Sequence, residues 1–179
     1  YEFIGIAFNR IGDMTGDIEN HKAALENHLK ELEINESLAA SDPSNAAYRR
    51  IVADVRGEIG LSQLKLGDAV AALENYRRRL EIFESVKASD PTNVEAIRDV
   101  INCLPELSHA LEKLGDITGA MRQMRKAVEL QKQLVATEPD NLETARRLQS
   151  LSGSVVELER RKGLISVRSQ VLPAIGREP

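Results

Sequence analysis

Apolar residues recur every three or four positions along most of the chain, and the pattern itself returns every 48 residues. Val52, Val55, Ile59 and Ser62 fall on one helical stripe, followed one period later by Val100, Cys103, Leu107 and Ala110, then by Leu148, Leu151, Val155 and Leu158. Spacing of this kind marks the buried face of an α-helix. A second stripe, Ala72, Leu73, Tyr76, Leu80, Phe83 and Val86, is answered by Ala120, Met121, Met124, Val128 and Leu134. The pattern predicts helix pairs, the first helix of each running about 21 residues, roughly 30 Å. Ala24, Ala72 and Ala120 share a column, where a small side chain lets paired helices approach closely.

The breaks are as regular as the stripes. Asp42-Pro43-Ser44-Asn45, Asp90-Pro91-Thr92-Asn93 and Glu138-Pro139-Asp140-Asn141 each end a helix, because proline lacks an amide hydrogen and its predecessor avoids helical dihedrals. Thr92 with Glu95 has capping-box spacing, Asp140 with Glu143 imitates it, and Ser44 with Ala47 predicts a weaker cap. Leu66-Gly67-Asp68 and Leu114-Gly115-Asp116 mark the turns inside each pair, with the aspartates starting the second helices. A shared column of Gly57, Pro105 and Gly153 predicts a kink, sharpest at Pro105.

The ends are less regular. Ile4, Phe8 and Ile11 have helical spacing, Gly12-Asp13 ends that helix, and Leu25, Leu29, Leu32 and Leu38 keep the period to Ala40. A second Gly-Asp at 16–17 leaves two readings: the next helix starts at Asp13, or residues 12–17 form a longer turn. After Gly163, LISVRSQVL begins a last helix that Pro173 cuts short, over residues 164–172, either closing the array or truncating a repeat.

Composition supports an all-α chain: 42% of residues are hydrophobic but only 3% aromatic, with no Trp. A net charge of −4 with both signs intermixed provides no electrostatic footprint for nucleic acid. Cys103 stands alone, which excludes an intramolecular disulfide or a cysteine zinc cluster. No apolar run of about 18 residues is present to span a membrane, and no leader opens the sequence, so a cytoplasmic location is expected. A helix interior beginning at Tyr1 points to a fragment of a longer protein.

The order of an apolar residue and glycine (Ile4-Gly5, Ile59-Gly60), Gly-Asp at the turn, alanine four residues beyond that Asp, and proline after the second helix resembles the tetratricopeptide repeat. The resemblance covers most of the chain as one array over residues 1–179, with units near 1–43, 44–91, 92–139 and 140–179. It implies an α-α superhelix, a solenoid of antiparallel helix pairs. The family's usual unit is about 34 residues; these are longer by roughly a heptad per helix. Ser108 and Val156 replace the glycine of Gly60, and Gln63 and Leu111 replace the family's aromatic residue. Long units of this type are similar to arrays in multidomain bacterial proteins, some with a serine/threonine kinase domain upstream.

In that architecture the first helices line a concave groove. The resemblance therefore places along it a row of cations, Arg10, Lys65, Lys113 and Arg161, with Asn9, Asp54, Leu61, Leu64, Asn102, His109, Glu112, Ser150, Glu157 and Arg160. Such a row suits an extended peptide with acidic groups or a free carboxylate, although the helix dipole alone favours cations at helix C-termini by about 0.3–1 kcal/mol each. Arg50, Arg98 and Arg146 form another column, expected in salt bridges between units. His21, His28 and His109 are scattered, Cys103 falls in a core column, and no phosphate-loop motif is present, so no catalytic, cofactor or metal residues are assigned. The expected function is a non-catalytic protein-interaction scaffold. The alternatives are a self-associating structural module, joined through terminal repeats, and a regulatory region of a larger bacterial protein.

Overall fold

The computed structural model describes the backbone of residues 1–175 and the side chains of residues 1–164. It contains α1 (Glu2–Thr15), α2 (Ile18–Ser41), α3 (Ala46–Lys65), α4 (Ala69–Ser89), α5 (Val94–Lys113), α6 (Ile117–Thr137) and α7 (Leu142–Ile175), with no strand among the described residues. Each helix packs against the one before it and the one after it, giving an all-α helical-repeat solenoid.

The punctuation explains the succession. Gly16, Gly67 and Gly115 take left-handed φ values of 70°, 85° and 80°, which glycine adopts without a Cβ clash. The following aspartates cap the next helices: Asp68 accepts from the Ala71 amide at 2.9 Å and Asp116 from the Gly119 amide at 2.7 Å. At the Asp/Glu-Pro-x-Asn breaks the cap is the asparagine rather than the Ser44, Thr92 or Asp140 position expected. Asn45 accepts from Ala47 N, Asn93 from Ala96 N, and Asn141 from Glu143 N and Thr144 N. The Thr92 hydroxyl is instead spent on Asp90 at 2.8 Å. The second unit is therefore capped by the same residue type as the others.

The core follows the repeat in α3 to α6. Val52, Val55, Ile59 and Ser62 are buried, as are Val100, Cys103, Leu107 and Ala110, and Leu151 and Leu158 on α7; Leu148 and Val155 are partly buried against them. Tyr76 and Phe83 are the largest fully buried side chains, each worth roughly 1.5–3 kcal/mol of burial. α5 passes through Pro105 unbroken.

The first pair departs from expectation. The turn is Gly16-Asp17, and α1 continues through Gly12-Asp13. Gly12 is buried because the His21 ring lies on it: an added Cβ would stand 2.7 Å from His21 Cε1. The buried faces are Gly5, Asn9 and Gly12 on α1, and His21, Ala24, His28 and Glu31 on α2. Ile4, Ile11, Leu29 and Leu38 are exposed. Two histidines lying on two glycines fill this interface, His28 in the column that later holds Tyr76 and Met124. At the other end, α7 continues through Gly163, where no helix break occurs. Leu164 stands where the other turns have a capping aspartate, so a new helix has no start signal.

Candidate functional site

The sequence-derived row is dispersed over several environments. Asn9 is in the core, its Nδ2 donating to Ser62 Oγ at 3.0 Å and its Oδ1 lying 3.2 Å from His21 Nδ1. Leu61 and Leu64 are half-buried, and Leu64 packs on the core. Arg10 is exposed, Lys65 pairs with Asp13 at 2.5 Å, and Asn102 accepts from Arg147. Asp54 lines a depression toward the N-terminal end of the array. His109, Glu112, Lys113, Ser150, Glu157 and Arg161 gather around two adjoining depressions between α5 and α7.

The larger of these has a volume of about 500 Å³. Pro105, Met124 and Leu158 supply its apolar lining, Gly153 leaves one wall bare, and His109, Glu112 and Arg161 stand at its edge. The Ser108 hydroxyl also lines it; Ser108 is 1% exposed and its Oγ has no hydrogen-bond partner.

The room has a definite origin one repeat earlier. There Tyr76 lies on Gly60 and the Arg79 guanidinium lies over Gly57, so close that a Cβ on either glycine would stand within 3 Å of them. Arg79 also bonds Glu106 and stacks over Phe83, 5.5 Å from the ring centroid. In the next unit the equivalent residues are Met124, Ala127 and Ser154, so the filler has been cut back. A Cβ added at Gly153 would meet nothing within 4 Å.

Charges at the cleft are partly neutralised within the chain. Arg161 reaches Glu112 at 2.8 Å and Glu157 at 3.0 Å, and Arg160 reaches Glu157 at 2.8 Å. Hydrogen bonds from Arg160 and Arg161 hold the Glu157 carboxyl down at about 2. Lys113 has no ion-pair partner among the described residues and lines the smaller depression. Of the other arginine column, Arg50 bridges to Glu95 and Asp99, each at 2.9 Å, and Arg98 to Glu138 at 2.7 Å.

Burial pushes the Cys103 thiol up to about 12, which leaves it protonated and unreactive near neutral pH. His109 is exposed on α5. Among the described residues no group of three His, Cys, Asp or Glu side chains is placed to hold a metal ion, and no helix is long and apolar enough to cross a membrane. Sequence reasoning missed the cleft itself. The signal was the change from Tyr76 and Arg79 to Met124 and Ala127 within otherwise matching columns.

No family model matches the chain, and no curated protein matches it. Among solved structures it is similar to a de novo designed helical repeat protein, with a TM-score of 0.44 and 18% identity over 85% of this chain and 75% of that one.

Proposed function

We propose that the chain is a non-catalytic interaction scaffold of the tetratricopeptide kind. It holds an extended peptide across the first-helix face, with one apolar side chain in the cleft between α5 and α7 and an acidic group beside Lys113. The observation that carries this reading is the cleft: an open, mainly apolar volume with an unpartnered hydroxyl, made where the repeat's own filler is missing. Concave sites with apolar walls and a few polar groups are the usual form of a binding pocket. Of the cation row, Lys65 and Arg161 are already paired, and of the two members left, Arg10 and Lys113, Lys113 is the one beside the cleft. Peptides selected from an acidic display library should lose at least tenfold in affinity for the Lys113→Glu variant while its helical circular dichroism is retained. Equal binding would remove Lys113 from the account.

A second reading, self-association, is favoured by the apolar side chains on α1. Phe3 is 83% and Met14 87% exposed, and Ile4 and Ile11 are exposed beside them. Sedimentation velocity should then show concentration-dependent association that is lost in a Phe3→Glu, Met14→Glu double variant. A monomer at all concentrations would dismiss that reading.

A further inference from the structure

A polar pocket of about 310 Å³ opens between the N-terminal parts of α5 and α7, with α6 beneath it. Arg98, Asn102, Glu143 and Arg147 form its walls, and the buried Gln131 and Thr144 its floor. Gln131 is 2% exposed, yet only one end of its amide is used. Its Nε2 donates to the Thr144 carbonyl at 2.9 Å, while its Oε1 has no partner. A carbonyl can only accept, so Nε2 must face Thr144 and Oε1 is fixed as the idle acceptor.

The walls hold donors to match it. Arg147 donates to Asn102 Oδ1 and meets no carboxylate within ion-pair distance among the described residues, which leaves most of its five N–H groups uncommitted. Asn102 Nδ2 has no acceptor among the described residues. Arg98 is engaged by Glu138, and the Glu143 carboxylate meets no Lys or Arg among the described residues. One uncommitted cation and one uncommitted anion balance each other. The pocket therefore suits a neutral group that accepts on one side and donates on the other.

The preceding unit lacks this polarity. One period of 48 residues earlier, Phe83 stands for Gln131, Ala96 for Thr144 and Asp99 for Arg147. Phe83 is 1% and Ala96 2% exposed, an apolar floor, and Arg50 holds Asp99 at 2.9 Å. In the later unit the aspartate has become arginine, Arg98 turns to Glu138, and a half-satisfied amide lies where the phenylalanine was. A buried acceptor without a donor weakens the fold in a way that phenylalanine would not. An occupant that supplies the donor accounts for its place.

We propose that this pocket binds the primary carboxamide of a glutamine side chain carried by the peptide that spans the first-helix face. The ligand N–H donates to Gln131 Oε1, and the ligand carbonyl accepts from Asn102 Nδ2 and the Arg147 guanidinium. A carboxylate has no donor for Gln131, and an ammonium has no acceptor for Arg147. Asn102 lies two helical turns before His109 at the cleft, roughly 10 Å, a span that an extended peptide covers in about three residues. The identity of the partner rests on the peptide reading above. The site itself does not, since it shares no lining residue with either depression beside Gly153 and Lys113.

The isotope-labelled chain is titrated with the methylamides of acetyl-glutamine, acetyl-glutamate and acetyl-methionine, while the side-chain amide of Asn102 and the backbone amides of residues 141–147 are followed. The glutamine probe should shift them saturably, and the other two should bind at least tenfold more weakly. Gln131→Met, which keeps the side-chain length and removes the acceptor, should weaken the glutamine probe at least tenfold. Arg147→Met, at an exposed position, should weaken it at least fivefold and decides the matter if Gln131→Met does not fold. Gly153→Leu should bind the glutamine probe as wild type does, which separates this site from the cleft. The proposal is overturned by glutamate or methionine probes that bind as tightly as glutamine, or by an unchanged titration in the deciding variant. A response lost in folded Gly153→Leu would overturn the separate site. No shift with the glutamine probe at its highest soluble concentration overturns the amide site alone, because the cleft is judged by its own variants, Lys113→Glu and Gly153→Leu, with an acidic peptide.

Discussion

Arg79 of α4 and Glu106 of α5 form an ion pair whose arginine is mostly withdrawn from solvent while its glutamate stays two-fifths exposed. Burial is the largest influence on Glu106 and holds its carboxyl above the ordinary value of 4.5, with Arg79 pulling the other way. A carboxyl raised in the folded state binds its proton more tightly there than in the unfolded chain, so its contribution to stability falls as pH rises from about 4.5. Wild type should therefore lose stability relative to Glu106→Gln between pH 4 and 7, as read by denaturant midpoints. A parallel pair of curves would contradict this. Arg79→Ala should cost about 1–2 kcal/mol at pH 7, less than the loss of a fully buried partner because Glu106 retains some water.

Two helical glycines should respond oppositely to the same substitution. At Gly60 an added Cβ would stand 2.7 Å from the ring of Tyr76, a rigid and buried neighbour, so Gly60→Ala should destabilise by about 1–3 kcal/mol. At Gly153 there is open space, and alanine should stabilise by about 0.5–1 kcal/mol through helix propensity. Thermal unfolding of the two variants, beside wild type, reads both signs.

The caps offer a test at single-residue scale. Asn93 accepts from the Ala96 amide, whereas the Thr92 side chain bonds Asp90. Asn93→Ala should cost about 1 kcal/mol, the usual value of an N-cap, and Thr92→Ala clearly less. Equal losses in urea unfolding would return the capping role to Thr92.

These outcomes also mark what was legible in the sequence. α3 to α6 were, because their buried faces carry Val, Ile, Leu and Ala at a fixed period, which is the quantity that hydrophobic spacing reports. The α1–α2 pair was not, since its interface is Gly5, Gly12, His21 and His28, whereas Leu29 and Leu38, regularly spaced, are exposed. Gly12-Asp13 imitates a turn signal but serves close packing. The asparagine caps were hidden behind stronger-looking Thr and Asp signatures one residue earlier. Spacing along one helix also could not show the cleft, which arises from what Met124 and Ala127 fail to fill.

The binding account rests most directly on the volume beside Gly153. Gly153→Leu places a side chain into that space on a residue whose Cβ meets nothing, so the variant should fold with a thermal midpoint equal to or above wild type. Its affinity for an acidic peptide selected against wild type, measured by fluorescence anisotropy, should fall at least tenfold. Unchanged affinity in a fully folded Gly153→Leu variant would show that the peptide does not use the cleft between α5 and α7.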